Sequence, residues 1–194
     1  LTAIGALALG YCVVVFLEAK YFQALEARNF ARELRLNERN EHGHVDSFAH
    51  VATPRKHGVL GRLEIPRIGV SVMVVEGVED SDLKRAVGHI PGTALPWESG
   101  NTGIAGHRDT FFRPLRSIQR DDKITLSTLQ GKHCYCVIST NVVKPEDIQV
   151  LNPAGRDSLT LVTCFPFGYV GSAPKRFIVR AERVPEAQLN QVRH

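Results

Sequence analysis

The chain has 194 residues, 43 % of them hydrophobic, enough for one domain with a real core plus an appendage and too few for two full domains. Its net charge of +4 comes from 24 Lys and Arg scattered among 20 Asp and Glu, without the dense basic run of a nucleic-acid-binding stripe. Four cysteines over this length make no disulfide framework.

Residues 1–17 carry no charge. A bilayer span needs about 20 apolar residues and a signal-peptide core about 7 to 15, and no small-residue cleavage box ends this run cleanly. The expectation over 1–17 is a transmembrane anchor, ahead of a cleaved signal or a buried helix. From Glu18 to about Arg39 the pattern is a charged helix with a ragged apolar stripe of Phe22, Leu25, Phe30, Leu34 and Leu36, which predicts a partly solvated stalk. Residues 40–58 have the polar, Gly- and Pro-containing composition of a linker. Its His42, His44, His50 and His57 lack sulfur or carboxylate partners at ligand spacing and read as solvated, not as a metal site.

After Gly58 short β-branched runs alternate with Gly, Pro, Asn and Asp. Strands are predicted at Leu60–Ile65, Val70–Val75, Lys123–Leu126, His133–Val143, Leu159–Cys164 and Phe177–Val184. Short helices are predicted at Ser81–Val87, with Ser81 as N-cap, and at Thr110–Ile118, capped by Asp109 and bent by Pro114. Many short strands with few helices predict a mostly β fold whose antiparallel sheet closes on itself, removing exposed edges.

Cys164 ends its strand downstream of Gly106-His107-Arg108-Asp109 and twelve residues ahead of Arg176. A thiol, an imidazole and a guanidinium are the parts of acyl transfer through a thioester. Arg176 and Arg180 share one strand face, so either guanidinium fits the role on spacing alone. Asp109 can orient His107 or cap the following segment. Cys134 and Cys136 share a strand face with no convergent partners, which favours small apolar fillers over a zinc site. Glu76, Glu79, Asp80 and Asp82 are only a weak argument for calcium.

Four segments in order, Leu63-Glu64-Ile65-Pro66-Arg67-Ile68-Gly69-Val70, Gly103-Ile104-Ala105-Gly106-His107-Arg108-Asp109, Leu159-Thr160-Leu161-Val162-Thr163-Cys164 and Ala173-Pro174-Lys175-Arg176-Phe177-Ile178-Val179, resemble the sortases. These are membrane-anchored cysteine transpeptidases with a closed β-barrel, and the residues around Cys164 and Arg176 look most like class D. The resemblance implies Cys164 as nucleophile, His107 as general acid/base and Arg176 as the cation steadying substrate or oxyanion. Asp109, Thr163 and His89 are supporting candidates, with His89 as a substrate contact. It implies no cofactor and no metal. It implies as partners secreted proteins with a C-terminal sorting motif like LPXTG or LPXTA, an amine acceptor on a cell-wall precursor or pilin lysine, and the membrane, with no nucleic acid. The expected layout is a transmembrane anchor at 1–17, helical stalk and linker at 18–58, an extracytoplasmic sortase-type catalytic domain at 59–185 and a tail at 186–194. Two other readings fit the same residues: a hydrolytic cysteine peptidase on this barrel, and a catalytically silent surface assembly module.

Overall fold

The computed structural model describes residues 2–41, 54–153, 155–169 and 171–185. Helix α1 (Thr2–Glu41) precedes β1 (Val59–Ile65), β2 (Val70–Glu76), α2 (Asp80–Arg85), β3 (Val87–His89), β4 (Asn101–Ala105), β5 (Lys123–Thr128), β6 (Gly131–Val143), β7 (Ser158–Phe165) and β8 (Lys175–Arg183). The strands close into a barrel in the order β1-β2-β3-β4-β7-β8-β6-β5. Alternation along the strands turns Leu63, Ile65, Ile124, Leu126, Leu159, Leu161, Val179 and Ala181 into one core, which Phe112 and Leu115 complete from the β4–β5 connection. Each of these side chains larger than alanine contributes roughly 1.5–3 kcal/mol by leaving water.

All six predicted strands are present, with ends shifted by one to a few residues. The two that the pattern missed, β3 and β4, belong to the parallel pairings β2–β3 and β4–β7, while the other pairings are antiparallel. Nearly every residue of β3 and β4 is buried, so neither shows the alternation that a half-exposed strand would. The helical expectations need correction. α2 starts one residue early, with Glu79 and not Ser81 at its N-cap, and Thr110–Ile118 is not one helix but turns followed by a 3-10 segment at Arg113–Ser117. Asp109 caps nothing there; Phe112 occupies the cap position and makes no side-chain cap bond.

α1 runs without a break through the predicted anchor and stalk. The side chains of 2–4 and 6–9 fall outside the described ones, and among the described residues no helix is long and apolar enough to cross a membrane. The stalk expectation changes more. The second half of α1 is docked on the barrel: Phe30 is buried, Gln23 Nε2 donates to Arg85 O at 2.7 Å, and Gln23 Oε1 accepts from Met73 N–H at 2.8 Å. The Asn37 amide donates to Leu129 O at 3.0 Å. Within the ragged stripe Phe30 is buried while Leu25 and Leu36 stay exposed, so the docking is local, completed by an amide that satisfies a β2 N–H. Of the linker histidines, His42, His44 and His50 lie outside the described residues. His57 is not a solvated linker group, since its Nδ1 meets the buried Asp82 carboxylate at 2.8 Å.

Two polar pairs fix the barrel ends. After β1 a 3-10 turn at Pro66–Ile68 ends on Gly69 at φ 67°, the left-handed region that glycine adopts without a Cβ penalty. This turn aims Arg67 at the buried Asp122 carboxylate, which it binds through Nε and Nη2. Hydrogen bonding from Arg67 holds the Asp122 carboxyl below the usual carboxylate range. At the other end His133 is buried, and Arg183 donates to its Nδ1. Thr128 gives its own proton to Gly131 O, leaving its oxygen to face the other ring nitrogen of His133 at 3.4 Å.

That arrangement accepts only the neutral ring. Burial, then the Arg183 charge, push the His133 pKa down from 6.5 to about 4. The unfolded chain therefore binds more protons between these values, and stability falls as pH drops from 6.5 toward 4. Denaturant titrations at neutral pH and near pH 4 are expected to show a loss of about 3 kcal/mol from this group. His133→Gln should flatten that part of the pH profile; an unchanged slope would exclude the buried neutral ring as its source.

Candidate active site

The parallel register of β4 on β7, Asn101 opposite Ser158 through Ala105 opposite Val162, continues one step beyond β4. Gly106 N–H donates to Val162 O at 3.1 Å, and the buried Thr163 hydroxyl donates to Gly106 O at 2.7 Å. Both backbone groups of Gly106 are tied to β7, and the next residue is His107. A Cβ at position 106 would stand 2.7 Å from Phe112 Cδ2 and 2.9 Å from Val87 Cγ1, so glycine alone allows this approach. Phe112 N–H closes the turn on His107 O at 3.1 Å.

On the other side of β7, antiparallel β8 sets Arg176 directly opposite Cys164. Directly opposed residues hold their Cβ atoms about 5 Å apart. Leu159 and Leu161 point into the core from β7, as do Val179 and Ala181 from β8, so by parity Cys164 and Arg176 share the outer face. Cys164, His107 and Arg176 are each half-buried. Nη1 of Arg176 donates to Ala173 O and Lys175 O at 3.2 and 3.1 Å; Nε and Nη2 take no hydrogen bond among the described residues. The thiol, imidazole and guanidinium therefore stand on two strand ends and one turn, all braced by β7.

A family model described as the sortase domain matches residues 63–184. The chain belongs to the sortase family. It is 38 % identical over 125 residues to Sortase D of Bacillus subtilis, an alignment covering 64 % of this chain and 63 % of that protein. It is 26 % identical over 133 residues to Sortase A of Bacillus anthracis, covering 66 % and 61 %. It thus spans a little over three-fifths of the length of these two curated relatives. Among solved structures, a Clostridium perfringens Sortase D5 transpeptidase superposes with a TM-score of 0.67 at 25 % identity, covering 87 % of this chain and 99 % of that one. Sortase C-1 from Actinomyces oris gives 0.61 at 30 % identity, covering 81 % and 99 %.

The supporting candidates in this sortase fall elsewhere than expected. His89 is buried, with Nδ1 at 2.8 Å from Glu76 Oε2 and Nε2 at 3.1 Å from Ala94 O and 3.0 Å from Thr93 Oγ1. Both ring nitrogens are taken within the protein, which makes His89 a brace under the loop after β3. The Asp109 carboxylate is mostly exposed, lies 3.5 Å from Arg108 Nε, and makes no hydrogen bond to His107 among the described residues. Thr163 spends its one hydroxyl proton on Gly106 O, which makes it a positioning group for the His107 turn. Arg180 lies opposite Thr160, away from the thiol, and donates to Val150 O and Asn152 O. Cys134 and Cys136 flank the core residue Tyr135 and so face outward. Burial, then Asp121, raise the Cys136 thiol pKa.

One site residue was not legible. Arg108 was named only as a member of the segment around His107, and it is only 6 % exposed. Its Nη2 donates to Tyr169 O at 2.7 Å and Gly171 O at 2.9 Å, and its guanidinium lies 5.9 Å from the Tyr169 ring centroid. It latches the β7–β8 loop onto the His107 turn. The aromatics of that loop are packed too: Phe167 contacts Phe165 and Phe177 edge-on, at 6.0 and 5.3 Å between centroids, and Phe177 joins the core margin.

Two substitutions separate positioning from stability. Thr163→Val keeps shape but orphans Gly106 O, and should cost about 1–2 kcal/mol in denaturation while lowering the acylation rate of the fully folded enzyme. Gly106→Ala should cost about 1–3 kcal/mol by overpacking against Phe112, and adding Phe112→Leu should recover part of both stability and rate. Unaltered acylation in both single variants would show that the Gly106 turn does not position His107.

Proposed function

We propose that this sortase is a membrane-anchored cysteine transpeptidase that cleaves an LPXTG- or LPXTA-like motif near the C-terminus of secreted proteins. It transfers the acyl group to an amine on a cell-wall precursor or pilin. The observation that carries this reading is the direct opposition of Cys164 and Arg176 across β7 and β8, beside a turn that ties His107 to β7.

In the first step the Cys164 thiolate attacks the carbonyl carbon of the motif threonine. A C–S bond forms, the carbonyl electron pair moves to oxygen, and the uncommitted N–H groups of Arg176 stabilise that oxyanion. On collapse the C–N bond breaks, and protonated His107 gives its proton to the leaving amine. The acyl group remains on Cys164 as a thioester. In the second step an acceptor amine attacks, gives its proton to His107, and the C–S bond breaks to regenerate the thiolate. Nothing is oxidised or reduced. Lys at position 176 would supply a point charge and no planar fork.

The class D-like reading is supported by the 38 % identity to Sortase D of Bacillus subtilis. Membrane attachment through α1 is supported by the uncharged run to Leu17, and on the transpeptidase reading the barrel stands on the extracytoplasmic side. There Tyr11, Val13, Val14, Phe16 and Leu17 remain exposed and uncovered by the barrel.

Incubation with motif peptides and mass spectrometry of the intact chain tests the chemistry. The wild type is expected to gain the acyl mass on Cys164 and Cys164→Ala to gain none at an unchanged fold, while Arg176→Lys should acylate at least about tenfold more slowly. A covalent adduct in Cys164→Ala would exclude the assignment. Product analysis with and without added amine separates transfer from hydrolysis.

A further inference from the structure

Beside His107 stands a buried cation that the two-step chemistry does not use. Among the described residues the one carboxylate at ion-pair distance from Arg108 is Asp109, which is mostly exposed. A guanidinium taken out of water on these terms needs other partners, and it finds them in main-chain carbonyls. Its Nη2 donates to both Tyr169 O and Gly171 O, and its plane faces the Tyr169 ring. Hydrogen bonds from a charged donor are stronger than neutral ones, so these two hold the loop firmly.

The position of those carbonyls gives the contact its consequence. Tyr169 lies five residues after Cys164 and Gly171 five residues before Arg176, so Arg108 grips the middle of the loop that joins the thiol to the catalytic guanidinium. The start of this loop has its own supports, since Phe167 packs on Phe165 and Phe177, and Tyr169 N–H donates to Pro166 O at 3.3 Å. Its crest has little burial to hold it, because Gly168, Tyr169, Gly171 and Ser172 are exposed. On the other side of the contact the chain has no slack. Gly106 is bound to β7 through both backbone groups, and His107 O accepts from Phe112 N–H and from Thr110 N–H at 3.4 Å. A force on residue 108 is therefore passed to the peptide that follows the imidazole. Three ties then connect the reactive groups in a closed figure. The β7–β8 register joins Cys164 to Arg176, Thr163 joins β7 to the His107 turn, and Arg108 joins that turn to the loop between the other two.

We propose that Arg108 is a positioning residue for the acid step: it fixes the His107 imidazole relative to Cys164, so that the proton reaches the leaving amine. The assignment rests on the role proposed for His107, whereas the tie itself is readable without catalysis. Proton transfer needs the donor within hydrogen-bond reach, so a turn freed on one side impairs amide cleavage before it impairs attack by the thiolate. The leaving group separates the two effects. In peptide cleavage the C–S bond forms, the C–N bond breaks and the amine must take the proton of His107. With a p-nitrophenyl ester the C–S bond forms, the C–O bond breaks and nitrophenolate departs with the electron pair, needing no proton.

Two measurements on the full chain test it, each made on Arg108→Gln, on Arg108→Lys and on Arg156→Gln, an exposed arginine of the β6–β7 connection that serves as control. The first is the imidazole proton–carbon NMR spectrum without substrate. The His107 signal, assigned by its loss in His107→Gln, should shift or broaden in both Arg108 variants, while the signal of His133 at the other barrel end stays in place. The second is acylation at saturating concentrations of a motif peptide and of the same motif ending in a threonyl p-nitrophenyl ester. Arg108→Gln should lose about 10- to 100-fold in kcat on the peptide and less than about threefold on the ester. Arg108→Lys, which keeps the charge on a shorter arm without the fork, should fall between, and Arg156→Gln should match the wild type. If Arg108→Gln does not fold, Arg108→Lys decides both measurements. An unmoved His107 signal in a folded Arg108 variant overturns the tie. Equal losses on peptide and ester, or a change confined to KM, assign Arg108 to the wall of the groove and overturn the proposal, as do unchanged rates on both substrates. Failure of the wild type to acylate with either substrate would instead count against the transpeptidase reading, and the imidazole spectra would still decide the tie.

Discussion

The parallel pairing of β4 with β7 is the constraint on which the site depends. β4 is five residues long and contains a glycine, so its own strand preference is weak. Its register is locked at both ends by side chains that have no alternative partner. At the start, Asn101 Oδ1 accepts from Ser158 and Thr160 hydroxyls at 3.1 and 2.9 Å, and its Nδ2 donates to Leu151 O at 2.9 Å. At the end, Thr163 grips Gly106 O. A slip of one residue would break these buried bonds and turn Ile104 out of the core, so it is excluded far more strongly than in an exposed strand. β8 pairs with the other edge of β7 in a register of its own, which sets which guanidinium lies opposite the thiol. The selection of Arg176 over Arg180 is a matter of register: Arg176 lies opposite Cys164, and Arg180 lies four residues further on, opposite Thr160.

The barrel was legible where one strand face is buried and the other is not. β1, β5 and β6 write that alternation into Leu63, Ile65, Ile124, Leu126, Tyr135 and Val137, and β2, β7 and β8 were legible by their β-branched and apolar runs. β3 and β4 escaped because burial on both faces erases the period, and because Asn101, Gly103 and Gly106 are chosen for hydrogen bonding and close approach. His107, Cys164 and Arg176 were legible as residue types in order; the sequence could not say that the first is delivered by a parallel pairing and the other two by an antiparallel one. The docking of α1 was hidden for a different reason. Its contact with the barrel is small, centred on Phe30 and on the Gln23 amide, and a glutamine on a charged helix carries no sign that its partners are Met73 N–H and Arg85 O. His89 and Arg108 show the same limit, since nothing local distinguishes a buried polar side chain with distant partners from an exposed one.

Arginine has an unusual structural use at the active end. Arg108 holds carbonyls of the β7–β8 loop, and Arg180 holds carbonyls of the 3-10 segment Ile148–Leu151 and its cap. Arg180 has no carboxylate at ion-pair distance among the described residues and Arg108 only the exposed Asp109 at 3.5 Å, and Arg108 Nε and Nη1 and Arg180 Nε are buried without a hydrogen bond among the described residues. Pinning a loop by its carbonyls leaves the positive charge in place, whereas a salt bridge would cancel it. Arg108 therefore orders the β7–β8 loop that follows the thiol, and Arg180 orders the β6–β7 connection.

The docked α1 also changes what the N-terminal helix does mechanically. A solvated stalk would let the barrel sample many heights and orientations above a bilayer. Here Leu17, the last residue of the uncharged run, and Gln23, the first residue hydrogen-bonded to the barrel, are separated by less than two helical turns, roughly 9 Å of axis. On the anchoring proposed above, the helix that enters the bilayer is the same rigid element that packs on β2 and α2. The barrel would then stand close to the membrane surface in a fixed orientation, with little freedom to swing. Substrates tethered to the same membrane would meet the groove at a set height, so loss of the Gln23 and Phe30 contacts would loosen substrate presentation even with the catalytic groups intact.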